Sequence, residues 1–435
     1  MEIGTLADWN PWWEKKESVK SLTGVRRSET DSIDKFASQR EIKIITGVRR
    51  SGKSTILYQL VEDLLRNGVE PKNLLFVNFE DKKIKDSELD DIFSLYERKL
   101  CPERKIYVFL DEIQNAKDWS PWIRKKYDTL KNISFIITGS SSHLLEKEYS
   151  TLLTGRNIKF EITPLNFIDF LSFKNFSIKD IKVIASSTRS RLLGFLDEYL
   201  EYGGFPEIVL KEKTLKHSQL NQYFDDIINK DVVARYDLSS IKAFDLAKYL
   251  LSNVGNLFSF RTARNFTKLG METLEKYLSK ILDTYLVFLV PIFSYSIKDQ
   301  SQYPRKIYCI DNGLKNLVSF RFSEDIGRSA ENAVFTELKR RHKEPVHEIY
   351  YWKNQKHMEV DFIIKHGLKV EQAIQVCWDI KNEKTKEREV KGLLACLEEF
   401  KLKEGLIITE DFESEEKSSW KTIKYIPLWK WLLEK

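Results

Sequence analysis

The sequence lacks the features that mark secreted and membrane-spanning proteins. Its longest apolar run, residues 285–293, is interrupted by Pro291 and is too short to cross a bilayer. The N-terminus carries acidic residues and Trp12-Trp13 where a signal peptide has a basic region and a long apolar one. The few cysteines show neither the paired spacing of a zinc site nor a disulfide framework, and they are Cys101, Cys309, Cys377 and Cys396. We therefore expect a cytoplasmic protein with no membrane segment.

An excess of charge of one sign is also missing. The 71 basic and 65 acidic residues leave a formal net charge of +6. This charge permits nucleic-acid binding without demanding it, because such binding depends on a local basic face and not on the net charge. The 435 residues are 42% hydrophobic and 31% charged, as in ordinary globular proteins. A chain of this length exceeds one hydrophobic core, so about two to four domains are expected.

The most informative stretch is Gly-Val-Arg-Arg-Ser-Gly-Lys-Ser at residues 47–54. It follows the apolar run 42–46 and opens a segment with helical periodicity, which is the order of a phosphate-binding P-loop. Glycines let backbone N–H groups point at phosphate oxygens, Lys53 supplies a cation, and the Ser54 hydroxyl can join the coordination of Mg²⁺. The predicted ATP contacts are Gly47, Val48, Arg49, Arg50, Ser51, Gly52, Lys53, Ser54 and Thr55.

The segment before residue 41 has two features of its own. Residues 9–13, Trp-Asn-Pro-Trp-Trp, predict packing against the nucleotide-binding domain, and a cover over the adenine is the alternative. Residues 23–28 repeat the Thr-Gly-Val-Arg-Arg-Ser of residues 46–51. Because this first copy lacks the lysine and follows no apolar strand, we interpret it as a loop or a coincidence.

Residues 41–164 alternate short apolar strands with helical segments, which predicts a parallel sheet with helices on both faces. The predicted strands are residues 42–46, 73–78, 105–111, 133–138 and 158–162. The third strand ends in Asp111-Glu112, the form of a Walker B element. Asp111 can hold Mg²⁺ through water, and Glu112 can orient or deprotonate the attacking water. Such a second carboxylate favours an ATPase over a kinase or a GTPase.

Two candidate residues follow the fourth strand. Ser140, in the run Thr-Gly-Ser-Ser-Ser at residues 138–142, can reach the γ-phosphate or the lytic water, and a helix-capping serine in a turn is the alternative. Arg156, in Leu-Thr-Gly-Arg, can sense the γ-phosphate in its own subunit or act as a finger on a neighbouring one. The alternative is that Arg156 forms only a surface salt bridge and has no catalytic role.

These motifs together resemble those of the archaeal-type AAA+ ATPases. The resemblance rests on residues 47–54, Leu-Asp-Glu-Ile-Gln at 110–114, residues 137–142, Leu-Thr-Gly-Arg at 153–156 and Pro-Leu-Asn-Phe at 164–167. It extends over nearly the full chain and includes residues 9–13, Tyr-Gly-Gly-Phe-Pro at 202–206 and Asp-Val-Val-Ala-Arg-Tyr at 231–236. It implies an α/β fold with a P-loop AAA+ or RecA-like core, ATP with Mg²⁺, a helical lid, a winged-helix domain and a nuclease-like C-terminal domain.

Residues 240–319 predict a second fold. Three helices are predicted, at 243–253, from a start at 260–264, and at 271–285. Two strands at 286–295 and 306–311, joined by a polar loop, follow them, which is the order of a winged helix. The third helix can enter a major groove, and Lys298, Arg305 and Lys306 can meet phosphates. Contact with protein instead of DNA is the alternative.

The last segment looks like the core of PD-(D/E)XK nucleases. Glu331 is predicted to open a helix, and three strands follow, at residues 350–352, 359–364 and 373–378. Gln375 and Cys377 stand where such a nuclease has a metal-binding carboxylate and a lysine. We therefore expect that this domain retains the nuclease fold without its activity and binds nucleic acid or neighbouring subunits. If the protein does cleave nucleic acid, replacing Asp361 by alanine should abolish the cleavage.

Together these interpretations predict five parts and one activity. The parts are an aromatic segment (1–40), an AAA+ core (41–165), a helical lid (166–238), a winged-helix domain (239–324) and an inactive nuclease-like domain (325–435). The activity is hydrolysis of ATP with Mg²⁺, coupled to a conformational or assembly change on double-stranded or branched DNA. A nucleotide-controlled protein switch or scaffold is the alternative, followed by a metal-dependent nuclease. The family resemblance implies a homo-oligomer.

Overall fold

The computed structural model describes residues 2–140, 155–178, 185–318, 324–342 and 345–434. The chain forms two compact units, the first comprising Met1–Thr163 with Asp283–Tyr285 and the second Pro164–Leu282 with Leu286–Lys435. Among the helices of the described residues, none combines the length and the hydrophobicity that crossing a bilayer requires.

A parallel sheet of five strands lies at the centre of the first unit. The strand order is β2-β3-β4-β1-β5, and every neighbouring pair is parallel. All five predicted strands are present, with ends within one residue of the predicted ones, so the α/β core is confirmed. The strands are β1 (Ile42–Thr46), β2 (Leu74–Asn78), β3 (Ile106–Asp111), β4 (Ile133–Gly139) and β5 (Asn157–Glu161).

Helices cover both faces of this sheet. Side chains alternate along each strand, so Ile44 and Val108 join one core with helices α4 and α5, whereas Ile45 and Phe109 join another with helix α3. The helices are α1 (Ile3–Ala7), α2 (Ser28–Ala37), α3 (Lys53–Arg66), α4 (Leu89–Leu100) and α5 (Trp119–Thr129), with short 3₁₀ helices at Pro11–Trp13, Lys16–Ser21, Pro71–Asn73 and Ile113–Asn115.

The N-terminal aromatic segment packs on the edge strand β2. The Asn10 side chain accepts from the Phe76 N–H at 2.7 Å and donates to the Phe76 carbonyl at 2.8 Å, which satisfies backbone groups that an edge strand leaves unpaired. The indole of Trp13 donates to the Leu74 carbonyl at 2.8 Å, and the fully buried Trp12 packs edge-on against Tyr58 of α3. These contacts support the packing interpretation of this segment.

The second unit begins with helices that surround a pair of glycines. They are α6 (Phe167–Phe173), α7 (Ser186–Tyr202), α8 (Pro206–Leu210), α9 (Lys213–Asp226), a π-helical stretch at Ile227–Val233 and α10 (Ala234–Tyr236). Gly203 has φ of 75°, and a Cβ there would lie 1.9 Å from Oδ1 of Asp311. The Gly204 N–H donates to Oδ2 of the same carboxylate at 2.6 Å. The close approach of Asp311 therefore explains Gly203, whereas at Gly204 a Cβ would lie 2.4 Å from the Leu165 carbonyl oxygen.

Three helices and a two-stranded hairpin follow, in the predicted order. They are α11 (Ser240–Ser252), α12 (Phe260–Thr267), α13 (Met271–Leu282), β6 (Val287–Val290), α14 (Ile297–Gln302) and β7 (Lys306–Cys309). Strand β6 is shorter than the predicted 286–295, because Pro291 cannot donate to the ladder. The predicted polar loop between the strands contains α14, whose first turn is capped by the Ser296 side chain.

A six-stranded mixed sheet of order β12-β13-β11-β10-β9-β8 completes the second unit. Its elements are α15 (Asn312–Val318), α16 (Glu324–Arg341), β8 (His347–Lys353), β9 (Glu359–His366), β10 (Lys369–Val376), α17 (Glu383–Phe400), β11 (Glu404–Thr409), β12 (Ser414–Ser418), β13 (Lys421–Pro427) and α18 (Leu428–Leu433). Helix α16 begins at Glu324, so the prediction that Glu331 opens this helix was wrong.

One continuous core joins the beginning and the end of the second unit. Phe170 of α6 and Leu196 of α7 belong to the same buried cluster as Val334 of α16, Phe362 of β9 and Trp431 of α18. The helices predicted as a lid and the sheet predicted as nuclease-like therefore share apolar packing within this unit.

Candidate functional site

The P-loop adopts a backbone that only glycine tolerates at two places. Gly47 has φ of 142°, and a Cβ there would lie 2.0 Å from the Ile162 carbonyl oxygen. Gly52 is left-handed, with φ of 95°, and stands immediately before α3. The loop therefore curls tightly between β1 and the N-terminus of α3, where free backbone N–H groups favour an anion.

Lys53 lies inside the curl of the loop. Its side chain is buried, and the ammonium donates to the carbonyl oxygens of Gly47 at 3.1 Å and Val48 at 3.2 Å. The same ammonium lies 3.5 Å from a carboxylate oxygen of Glu112. A positive charge is thus held at the position predicted for the β- and γ-phosphates.

Ser54, Asp111 and Thr138 form a hydrogen-bonded chain at the carboxyl edge of the sheet. Asp111 accepts from the Ser54 hydroxyl at 2.7 Å and from the Thr138 hydroxyl at 2.5 Å. Burial, reinforced by the neighbouring Glu112 carboxylate, raises the pKa of Asp111 to about 6. A buried carboxylate beside a hydroxyl supplies oxygen ligands of the kind that Mg²⁺ prefers, so these residues fit the predicted ion.

Glu112 is held in position from both its backbone and its side chain. Its φ is 51°, and its N–H donates to the Thr138 hydroxyl at 2.9 Å. The Gln114 amide donates to the Glu112 carboxylate at 2.5 Å and lies 3.4 Å from the hydroxyl of the buried Ser140. The predicted residues Glu112 and Ser140 therefore belong to one polar network, with Gln114 between them.

The remaining predicted ATP contacts surround this centre. Val48 and Ser51 are buried, and the Ser51 hydroxyl has no hydrogen-bond partner within the described residues. The Arg49 guanidinium pairs with Glu80 at 2.6 Å, and Arg50 has φ of 69°. Thr55 lies in the first turn of α3. Ser141 and Ser142, and the Leu153-Thr154 of the arginine motif, lie outside the described residues.

Arg27 is a functional candidate that the sequence reading missed. Its guanidinium is buried and donates to the P-loop carbonyl of Ser51 at 2.5 Å and to the carbonyl of Thr163 at 3.0 Å. Gln59 of α3 holds the same segment by donating to the carbonyls of Thr23 and Val25. The first Thr-Gly-Val-Arg-Arg-Ser copy is a loop, as predicted, but it is fastened to the P-loop. The repetition itself was the available signal.

We expect Arg27→Gln to weaken Mg·ATP binding about tenfold, because a net loss of about 1.4 kcal/mol follows when a buried charged hydrogen bond to the loop is removed. The measurement is equilibrium titration with ATP, together with a melting curve that reports folding. The matched control is Arg26→Gln, since Arg26 pairs with Asp31 and Asp63 and makes no described hydrogen bond to the P-loop. Equal ATP affinity in both variants would remove Arg27 from this positioning role.

Arg156 does not lie where an in-subunit sensor would. It precedes β5, whose residue Asn157 pairs with Ile42 at the start of the parallel strand β1, whereas the P-loop follows the end of β1. Five strand residues at about 3.3 Å each separate the two ends by roughly 16 Å. The half-buried Arg156 instead pairs with Asp128 at 3.4 Å. The structure contradicts a contact between Arg156 and the γ-phosphate of the same subunit. Two interpretations of Arg156 remain, namely the surface salt bridge and an arginine finger that acts on a neighbouring subunit.

The three basic residues predicted to meet DNA differ in position. Lys298 and Arg305 are exposed, in α14 and just before β7. Lys306 is buried, and its ammonium lies 2.8 Å from Asp361, 2.8 Å from Glu359 and 3.4 Å from Glu331. The prediction that Lys306 meets phosphates is therefore corrected, because three carboxylates already surround its charge.

This buried lysine cluster, Lys306 with Glu331, Glu359 and Asp361, borders a cavity of about 800 Å³. Burial alone would lower the pKa of Lys306, but the three carboxylates hold it well above its usual value. Burial raises the pKa of Glu331 to about 7. Gln375 accepts from the Asp361 N–H at 3.1 Å and donates to Glu389 at 2.5 Å. Gln375 and the acids named in the sequence analysis therefore lie close together, and the ammonium of Lys306 from β7 lies among them.

Comparison with known proteins divides the chain into three matched regions. Residues 39–171 match the family model of an AAA domain, which supports an ATPase-type nucleotide-binding function. Residues 194–325 and 326–431 match two domains of unknown function, DUF8612 and DUF4143. The AAA match covers the P-loop and the acidic pair, whereas neither of the other two models carries a described activity.

Two relatives are similar over most of their length. The uncharacterized protein MJ1544 of Methanocaldococcus jannaschii is 38% identical over 406 residues, which cover 90% of this chain and 88% of that protein. An uncharacterized protein of Haemophilus influenzae is 30% identical over 329 residues, which cover 73% of this chain and 78% of that protein. The solved ORC1 protein of Aeropyrum pernix in complex with DNA gives a TM-score of 0.31 at 12% identity, over 67% of this chain and 91% of that one.

Proposed function

The chain belongs to the family of the Methanocaldococcus jannaschii and Haemophilus influenzae proteins and carries an AAA domain, and from this premise we propose that it hydrolyses Mg·ATP to drive a conformational or assembly change on DNA. The observation that carries the hydrolytic part is the convergence of Lys53, Asp111 and Glu112 at the carboxyl edge of one sheet. A phosphate-binding lysine and a carboxylate for water are the two groups that such hydrolysis needs.

In this proposal the P-loop amides and Lys53 bind the β- and γ-phosphates of ATP, and Ser54 with Asp111 holds Mg²⁺. Bound Mg²⁺ neutralises charge on the phosphate oxygens. Glu112 accepts the proton of the attacking water, and Gln114 orients its carboxylate through their 2.5 Å hydrogen bond. Ser140, in the same network, contacts the γ-phosphate or that water.

The remaining regions transmit the nucleotide state. Residues 1–40 form the packing segment on the core at 41–165, residues 166–238 the lid, and residues 239–324 a winged helix. Residues 325–435 keep a nuclease-like fold without cleavage. Two observations support the last assignment: Gln375 replaces a carboxylate, and burial raises the pKa of Cys377 to about 11, so its thiol is neutral where a nuclease has a cation.

The DNA contact in this proposal involves Lys298 and Arg305, the exposed pair beside the β6–β7 hairpin. A second candidate function, a nucleotide-controlled switch that binds protein in a homo-oligomer, is favoured by a different observation. Tyr295 is 79% exposed and Phe266 is 57% exposed on the same group of elements, and exposed aromatics are typical of protein interfaces.

The test is binding of duplex and branched DNA to the full chain at about 50 and about 200 mM salt, with the ATP turnover measured beside it. Two phosphate contacts predict about a tenfold loss of affinity over that range. Lys298→Ala and Arg305→Ala should each lower the salt slope by about 1, whereas Lys384→Ala, an exposed lysine elsewhere, should not. DNA that neither binds in this way nor changes turnover would favour the protein switch.

A further inference from the structure

Two histidines face each other across neighbouring strands of the C-terminal sheet. His347 at the start of β8 is the direct antiparallel partner of His366 at the end of β9. Their ring centroids lie 4.7 Å apart at an interplanar angle of 28°. Because directly paired strand residues project to the same face of a sheet, the backbone ladder holds the two imidazoles together.

Glu371 joins this pair from the next strand. It is the extra residue of a bulge in β10, since the pairing with β9 shifts register between Val370 and Gln372. Bulges re-aim side chains, and the Glu371 carboxylate lies 2.9 Å from Nδ1 of His366 and 3.9 Å from Nε2 of His347. Three adjacent strands therefore each contribute one polar group to a single point.

The geometry of these three groups suits a transition metal. One ligand atom from each residue lies within 4.8 Å of the other two. Zinc binds histidine nitrogen and carboxylate oxygen at about 2.0–2.2 Å, which in a tetrahedral site puts ligand atoms about 3.3 Å apart. Because the strands fix the Cα positions, metal binding requires the side chains to rotate until that difference is closed.

A third histidine lies beside one of these three residues. His342, just after the end of α16, lies with its ring centroid 5.0 Å from that of His347. Three of the six histidines in the chain thus meet at this corner of the sheet.

Positively charged side chains near the three histidines are paired with other groups. Arg341 donates to the Trp431 and Glu434 carbonyls and to Glu337, and Lys365 pairs with Glu348. The exposed Lys369 opposes His366 in the ladder and adds a positive charge that would repel a metal. Its flexible stem allows the ammonium to extend into solvent.

We propose that His347, His366 and Glu371 form a binding site for a divalent transition-metal ion of the zinc class, with His342 as the fourth ligand. The ion would tie the edge strand β8 to β9 and β10 and to the end of α16. Metal binding of this kind adds to the stability of the fold that presents the ligands. This site is distinct from the nucleotide site, whose oxygen ligands favour Mg²⁺.

The test uses the tag-free full chain, stripped with EDTA and kept free of nucleotide, and titrates it with Zn²⁺ while following bound metal and melting temperature. We expect one equivalent of Zn²⁺ that raises the melting temperature and resists a hundredfold excess of Mg²⁺. His366→Gln and Glu371→Gln should lose that equivalent. The matched control, His357→Asn, lies at the other end of the same hairpin and should keep it.

Two results would overturn the site. Either the parent protein binds no Zn²⁺ at micromolar concentration, or the His366 and Glu371 variants keep the same stoichiometry as the parent. The His366–Glu371 contact would then be a metal-free hydrogen bond. Titration with Co²⁺ provides an independent readout, since its visible spectrum changes with nitrogen coordination in the parent and should not change in either variant.

Discussion

Replacing Glu112 by glutamine is expected to lower the turnover of ATP about 10²- to 10⁴-fold while Mg·ATP still binds. The glutamine keeps the size of the side chain and can keep its contact with Gln114, but it cannot accept the proton of the attacking water. The carboxylate lies 3.5 Å from the Lys53 ammonium, so it is placed at the phosphate end of the loop. The measurement is steady-state phosphate release combined with ATP affinity.

The control for this prediction is Glu103→Gln. Glu103 has a 72% exposed side chain and pairs with Lys72 on the surface of the same unit, so turnover should match that of the parent. Equal steady-state turnover in the Glu112 variant and the parent would exclude Glu112 as the general base. A joint loss of binding and turnover would instead assign it a role in holding the nucleotide.

Replacing Lys306 by methionine is expected to destabilise the second unit by about 3–5 kcal/mol, because removal of one partner leaves buried charge uncompensated. Glu331, Glu359 and Asp361 surround the ammonium within 3.4 Å. The measurement is the midpoint of urea unfolding, and a multidomain chain calls for a probe in the second unit. Because both units contain tryptophan, amide hydrogen exchange in the strands β8 to β10 provides that probe.

Two further variants sharpen this prediction. Lys298→Met removes an exposed lysine of the same region and should change stability by less than about 0.5 kcal/mol. Adding Asp361→Asn to Lys306→Met should recover part of the loss, since one repelling carboxylate is then neutral. If Lys306→Met unfolds at the same urea concentration as Lys298→Met, the cluster contributes nothing measurable to stability.

Local patterns were sufficient for the AAA core. The P-loop, the five strands and the acidic pair Asp111-Glu112 each depend on neighbours within about ten residues, and the structure places them as predicted. The direction of the strands was also sufficient to correct the prediction that Arg156 contacts the γ-phosphate in its own subunit. A residue that precedes a parallel strand lies at the amino edge of the sheet, opposite a loop that follows one.

Long-range contacts could not be read from the same patterns. Arg27 reaches Ser51 across 24 residues, and Lys306 reaches Asp361 across 55, so neither partner is visible in a local window. From the sequence alone, Lys306 was interpreted as a surface charge, because the acids that surround it are distant in the chain. The short β6 was predictable from Pro291, because proline cannot donate to the strand ladder.

The measurement that tests the central claim most directly is equilibrium binding of ATP to the purified full chain with magnesium, for the parent and for Lys53→Ala. The account predicts one equivalent of bound ATP in the parent and loss of binding in the variant, since the buried Lys53 ammonium lies inside the curl of the loop, where the phosphates are expected. A parent that takes up no purine triphosphate, or a variant that binds as tightly as the parent, would contradict it.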